Sequence, residues 1–322
     1  MIFMNKKKIQ VVKKIQVVMI LLLLSILVYL ILAPSNVIES VNFSISIWKD
    51  NLFPTLFPFF VVSNLLMQYG FIDIIGKFLE YPMNHLFHLP KNSGFVLAAS
   101  LFSGFPSGSK YTSDLVKNKK LTPEEGARLL TFTHYSNPLF IIGMIGNILL
   151  NNKMFAYIIL IAHISGGLIT GYLYNHSFSF AGEEKEYKKE KTVLKPFGEL
   201  LQTCIFSSLN TMFLLLGIVT IFLILNSFLQ SMLNLPSLPQ AILAGILEMT
   251  QGVKLISALE ISELLKVIII TMILSFGGFS VHMQVLGIIS DAKIKYKPFL
   301  LARVLHAILS GGFAFILYQI LC

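Results

Sequence analysis

The chain has 322 residues, of which 55% are hydrophobic and only 13% are charged. Its mean hydropathy is +0.76, so it lacks the polar coat of a soluble domain, where about 25% of residues are charged. The same composition excludes a disordered chain, a coiled coil and a disulfide scaffold. The net charge of +9 sits in short polar breaks between apolar runs. That pattern reads as membrane topology, and no nucleic-acid partner is expected.

In chain order, the first element is an apolar run at 15–33 that follows Lys6, Lys7, Lys8, Lys13 and Lys14. A cleaved signal has an apolar region of about 7–15 residues. The run from Val17 to Ala33 is longer, so an uncleaved anchor is expected. A second span is predicted at 52–70. A short, broken apolar stretch follows at 94–109, below the length of about 20 residues that crosses hydrocarbon. Spans are predicted at 129–150 and 154–174. A charged linker then carries Glu183, Glu184, Lys185, Lys188 and Lys189. Spans at 205–229, 266–290 and 299–319 close the chain, with a second short stretch at 240–253. Cys204 and Cys322 have no framework or metal-ligand spacing, and no metal site is expected.

Lysine and arginine favour the cytoplasmic side. If both short stretches enter and leave on one side, 20 basic residues lie inside and 4 outside, with Arg303 within the last span. If both cross, the bias disappears. The expected fold is therefore an all-α polytopic membrane protein of about seven transmembrane helices plus two re-entrant hairpins. Its N-terminus is expected in the cytoplasm and its C-terminus outside.

A repeat appears at an offset of 144 residues: Gly108 with Gly252, Lys110 with Lys254, Phe132 with Phe276, Ser136 with Ser280 and Gly143 with Gly287. The expected organisation is an anchor and outer loop (1–50), a first repeat (51–180), a cytoplasmic charged linker (181–196) and a second, inverted repeat (197–322). Inverted repeats with broken helices point to a secondary transporter with its solute near the midplane.

The candidate binding residues fall at the breaks. The first tip, 103–110, holds Gly104, Pro106, Gly108 and Lys110. Glycine permits a tight reversal and proline cannot continue a helix. The first broken span holds His134, Ser136 and Asn137 before Pro138, and the residue before proline is biased away from helix. The second tip holds Glu248 and Gln251, with Lys254 as a pairing candidate for the acid. An acid in an apolar stretch is costly and reads as functional. The second broken span holds Gly277, Gly278, Ser280 and His282. The competing explanations are a plain turn between half-helices for the first tip, interhelical hydrogen bonding for the first broken span, Glu248–Lys254 pairing for the second tip, and close packing at the glycines of the second broken span. No catalytic triad order, zinc-protease helix or nucleotide fingerprint is present, so an enzyme is not expected.

The segments FPTLFPFFVVSNLL (53–66), SGFPSGSK (103–110), LTPEEGARLLTFTHYSNPLFIIG (121–143), LAGILEMTQG (243–252), FGGFSVHMQV (276–285) and KYKPFLLARVLHAIL (295–309) closely resemble the sporulation integral membrane protein YlbJ family. That family is similar to a wider group with a nucleoside recognition or gate domain, which includes concentrative nucleoside transporters. The resemblance implies an inverted-repeat transporter-like fold in the multi-pass membrane of a bacterium, forespore-associated if the host sporulates. It implies movement of dipicolinate, a small aromatic dicarboxylate. Residues 133–138 read Thr-His-Tyr-Ser-Asn-Pro where the family pattern is expected to be closer to Thr-Asn-Asn-Ser-Gly-Pro. A nucleoside or other polar solute, or a scaffold role in spore formation, are the alternatives. The expected partners are the solute and the lipid bilayer, with Na⁺ or H⁺ as a coupling ion in place of a cofactor, and homo-oligomerisation left open.

Overall fold

The computed structural model describes residues 6–177 and 196–322. The charged linker expected at 181–196 lies outside the described residues except for Pro196. Among the described residues all regular structure is helical. The helices are α1 (Lys6–Leu32), α2 (Pro34–Ile47), α3 (Phe53–Gln68), α4 (Phe71–Phe78), α5 (Glu80–Leu86), α6 (Ser93–Ser103), α7 (Ser107–Lys117) and α8 (Pro123–Leu129), followed by α9 (Lys153–Ser177), α10 (Phe197–Met232), α11 (Ser237–Leu247), α12 (Met249–Ser257), α13 (Glu263–Phe276), α14 (Gly278–Ile289) and α15 (Lys297–Leu321). Two π-helical stretches, Trp48–Leu52 and Phe140–Leu149, complete the set.

Among the described residues four helical segments are long and apolar enough to cross a bilayer: Lys153–His176, Phe197–Met232, Glu263–Ile289 and Lys297–Leu321. A fifth is counted if Gln16–Leu32 and Pro34–Asp50, bent by 98°, form one broken span. The bend falls at Pro34, which lacks an N–H and starts a new helix. Two of the seven expected spans are shorter than the sequence suggests. The apolar helix in 52–70 covers Leu56–Gln68, and the one in 129–150 covers only Phe140–Leu149. In the latter, residues 133–137 are unwound ahead of Pro138.

The 144-residue offset recurs in the helix boundaries. α3 and α10 begin at Phe53 and Phe197, α6 and α11 run Ser93–Ser103 and Ser237–Leu247, and α9 and α15 run Lys153–Ser177 and Lys297–Leu321. Equivalent residues also touch. Asn64 hydrogen-bonds Ser208 at 3.3 Å, 144 positions away. A Cβ on Gly166 would lie 2.1 Å from the Oγ of its equivalent, Ser310. Along the same pair of helices Phe155 stacks on Tyr318 at 5.6 Å, whereas Gly167 meets His306. Rising numbers in α9 meet falling numbers in α15, so these equivalent helices are antiparallel. Contacts of a residue with its own equivalent mark a two-fold axis, here one that crosses the helices.

Each copy contains a pair of short helices joined at a sharp reversal. In the first, Phe95 of α6 meets Tyr111 of α7 at 5.3 Å. In the second, a Cβ on Gly252 of α12 would lie 2.1 Å from the Cα of Gly245 in α11. The core between them is apolar: Phe60, Phe95, Tyr111 and Phe132 gather on one side, and Ile141, Ile159, Val253 and Ile270 on the other.

Candidate functional site

The first reversal is built on Gly104, whose φ is +80°, a left-handed backbone that glycine adopts without a side-chain clash. A Cβ there would also lie 2.5 Å from the Asn137 nitrogen, and one on Gly108 would lie 1.7 Å from the Thr133 carbonyl oxygen. The missing side chains let the tip press against the unwound stretch 133–137. The contact is hydrogen-bonded: Phe105 N–H donates to Tyr135 O at 2.7 Å, and the Asn137 amide donates to Ser103 O at 3.2 Å. Pro106 precedes the first turn of α7, where the Ser107 hydroxyl donates to Gly104 O. Gly104, Pro106, Gly108, His134, Ser136 and Asn137 are thus brought together.

A buried unwound segment leaves carbonyls that helix no longer satisfies. Arg303 of α15 supplies the donors. It is 1% exposed and gives Nη1 to His134 O at 2.8 Å and Nη2 to Thr131 O at 2.6 Å. His306, one turn later, accepts from Arg303 at Nδ1 (2.8 Å) and donates from Nε2 to His163 O (2.7 Å). The Ser136 N–H donates to Nε2 of His163 at 2.9 Å, and Nδ1 of His163 bonds Ser275 Oγ at 2.8 Å. A backbone N–H can only donate, so Nε2 is the unprotonated nitrogen and Nδ1 carries the proton. His163 therefore ties the unwound stretch of the first copy to α13 of the second.

The second reversal is built on Glu248, which is 2% exposed. Its carboxylate caps α12 by accepting from Gln251 N–H at 2.8 Å, a favourable place for negative charge. Lys254 does not pair with it and lies over the Phe43 ring at 4.5 Å. Gly277 and Gly278 have φ of +90° and +72° and break α13 from α14. A Cβ on Gly278 would meet Met249 N at 3.0 Å, so this tip too rests on a break. Glu248, Gln251, Gly277 and Gly278 are grouped as the first-copy residues are. His282 faces Tyr296 OH at 2.6 Å and Phe276 O at 3.1 Å. It meets the same Phe299 ring as His134, at 5.1 and 4.9 Å. Ser280 is fully buried. Lys110 stands apart from both tips: it points to α10 and bonds Ser207 at 3.1 Å.

Between the two tips lies a cavity of about 310 Å³. Phe105 and Met249, equivalent residues of the two tips, both line it, with Thr250 beside the latter. Ser136 and Asn137 supply polar groups from the unwound stretch, and Gly143, Met144 and Ile148 form a wall. Leu52, just before α3, and Leu56 of α3 close the far side, with Asp50 nearby. The Ser136 hydroxyl is buried without a protein partner, as are both ring nitrogens of His134 and the Ser280 hydroxyl. Buried polar atoms of this kind are normally satisfied by water or a ligand.

A Cβ on Gly143 would touch nothing within 4 Å, because the cavity lies beside it. Its equivalent, Gly287, is exposed, and a Cβ there would make an ordinary contact with Leu214 of α10 at 3.7 Å. α14 meets α7: Ser113 donates to Ile288 O at 3.1 Å, and Lys117 reaches Asp291, just beyond α14, at 3.4 Å.

The tips and breaks are legible in the sequence, whereas His163, Arg303 and His306 are not among the expected site residues. Arg303 figures there only as a residue within the last span, outside the topology count. An ionisable residue inside a span is the signal that identifies it.

In comparison with known proteins, the chain is 32% identical to the sporulation integral membrane protein YlbJ of Bacillus subtilis (strain 168), over 89% of this chain and 78% of that protein. No family model matches. No solved structure matches either.

Proposed function

This chain belongs to the family of the sporulation integral membrane protein YlbJ, and we propose that it is a secondary-transporter-like protein that moves a small organic anion across the membrane. The solute class is a dicarboxylate of the dipicolinate kind, and the setting is spore formation in a multi-pass bacterial membrane. In this reading the two copies lie inverted about the membrane plane, the two helix pairs are re-entrant hairpins, and the N-terminus is cytoplasmic.

The observation that carries the reading is the cavity between the two tips, lined by the equivalent residues Phe105 and Met249 and by Ser136 and Asn137 of the unwound stretch. A polar-lipped cavity where two inverted copies meet is the arrangement on which alternating access turns. The cavity size and its mostly apolar wall with a few polar groups suit a small aromatic solute.

A second reading, a neutral polar solute such as a nucleoside, is favoured by the charge of the lining. Asp50 is the only ionisable side chain among the described lining residues, and a dianion there meets no compensating cation among them. Flux into proteoliposomes separates the two. Labelled dipicolinate and labelled uridine are each offered under an imposed Na⁺ or H⁺ gradient. Uptake of dipicolinate, undiminished by uridine, supports the anion. Uptake of uridine alone replaces it with the second reading. No uptake of either removes the transport reading in favour of a scaffold role.

A further inference from the structure

A second cavity, of about 240 Å³, lies at the opposite end of α3 from the first. The first is lined by Leu52 and Leu56, beside and in the opening turn of α3. The second is lined by Asn64, Met67 and Gln68 near the end of that helix. From Leu56 to Met67 a helix rises about 16 Å. The two cavities also stand at opposite ends of α7, one at Phe105 and the other at Asp114, Leu115 and Asn118. Their linings differ in kind. The second is largely polar, with three carboxamides (Asn64, Gln68, Asn118), the hydroxyls of Thr203 and Ser207, and the charged Asp114 and Lys120.

Lys110 lies behind its wall. It is 6% exposed and bonds two lining residues, Ser207 at 3.1 Å and Asp114 at 3.6 Å. The second distance is longer than the roughly 2.7–2.9 Å of a tight charge-assisted bond. An ammonium has three donors, so Lys110 retains capacity for a further acceptor. A buried cation so loosely compensated is costly, and an anion entering from the cavity would relieve the cost. Lys120 at the rim adds a second positive charge against the single Asp114. Lys110 has an equivalent in Lys254, but the positions equivalent to Asp114 and Lys120 are Ala258 and Leu264, so the charged lining is particular to the first copy.

We propose that this cavity is a binding station for a small carboxylate-bearing solute, held by Lys110 and Lys120 with the surrounding carboxamides as donors. The assignment rests on this cavity alone and holds whether or not the first cavity transports.

Cys204 lines the cavity and makes the test direct. In full-length protein carrying Cys322→Ser, in detergent, the rate of Cys204 modification is measured with methanethiosulfonates of negative and positive charge. Asn118→Cys, at an exposed rim position, serves as a second reporter in a Cys204→Ser, Cys322→Ser background. The anionic reagent is expected to react several-fold faster, consistent with charge steering. Glutarate is expected to slow modification, and the diamine putrescine is not. Lys120→Ala is expected to raise the half-protecting glutarate concentration about tenfold, the loss of one charge-assisted bond. Equal rates for the two reagents, with no glutarate protection at either reporter, would overturn the proposal. Detergent-solubilised protein cannot transport, so this result is separable from any failure of the flux assay.

Discussion

Asn64 donates its side-chain amide to the hydroxyl of Ser208 at 3.3 Å, and the two residues are equivalents 144 positions apart. Gly166 and Ser310 repeat the relationship at the α9–α15 crossing. Both contacts lie on the axis that relates the copies, so each is a place where the whole arrangement is exposed to a single substitution.

The crossing at Gly166 leaves no room for a side chain, because a Cβ there would also lie 2.9 Å from the Ser310 backbone nitrogen. Gly166→Ala is expected to destabilise by about 1–3 kcal/mol through overpacking. Gly312→Ala, where a Cβ meets nothing within 4 Å, is expected to leave stability unchanged or raise it. Thermal unfolding of the two variants in detergent checks this. Equal melting temperatures would remove the close crossing.

Arg303 satisfies the carbonyls of Thr131 and His134. Arg303→Met is expected to cost about 1–3 kcal/mol for each carbonyl left unpaired. Arg303→Lys should recover only part, because one ammonium does not reproduce the planar fork of a guanidinium. Proteolysis between residues 130 and 138 should quicken in the same order. A fully stable Arg303→Met protein would contradict the role assigned to this side chain.

Gly143 lines the first cavity with open space beside it. Gly143→Leu is expected to fold normally and to lower solute flux at least about tenfold, a loss worth roughly 1.4 kcal/mol at the site. Gly108→Ala, which would press on the Thr133 carbonyl, is expected to lose both folding and flux. If Gly143→Leu transports at the wild-type rate, the solute does not pass through this cavity.

Much of this arrangement was legible before the structure. Gly104, Gly108, Gly277 and Gly278 marked the breaks, because glycine and proline punctuate apolar runs for steric reasons that do not depend on context. The pairs Gly108/Gly252 and Ser136/Ser280 gave the offset that the helix boundaries then follow. What could not be read was direction. Lys110 sits three residues past Ser107, and its place on α7 turns it away from the tip toward Ser207 of α10. The unwound stretch is longer than Asn137-Pro138 implies, since distant Arg303 supplies the donors that keep residues 131–134 out of a helix. His163 lies in an apolar run, and its two partners come from opposite copies, a juxtaposition with no local sequence signal.

The central claim is that the second copy changes its internal packing as solute passes, and Leu214 of α10 and Gly287 of α14 test it most directly. A Cβ on Gly287 would lie 3.7 Å from the end of the Leu214 side chain, so Leu214→Cys and Gly287→Cys are within reach of a short bifunctional methanethiosulfonate. The measurement is solute flux into proteoliposomes in a background with Cys204 and Cys322 replaced, before and after cross-linking. The account predicts that cross-linking stops flux and that reductant restores it. Undiminished flux through fully cross-linked protein would contradict it.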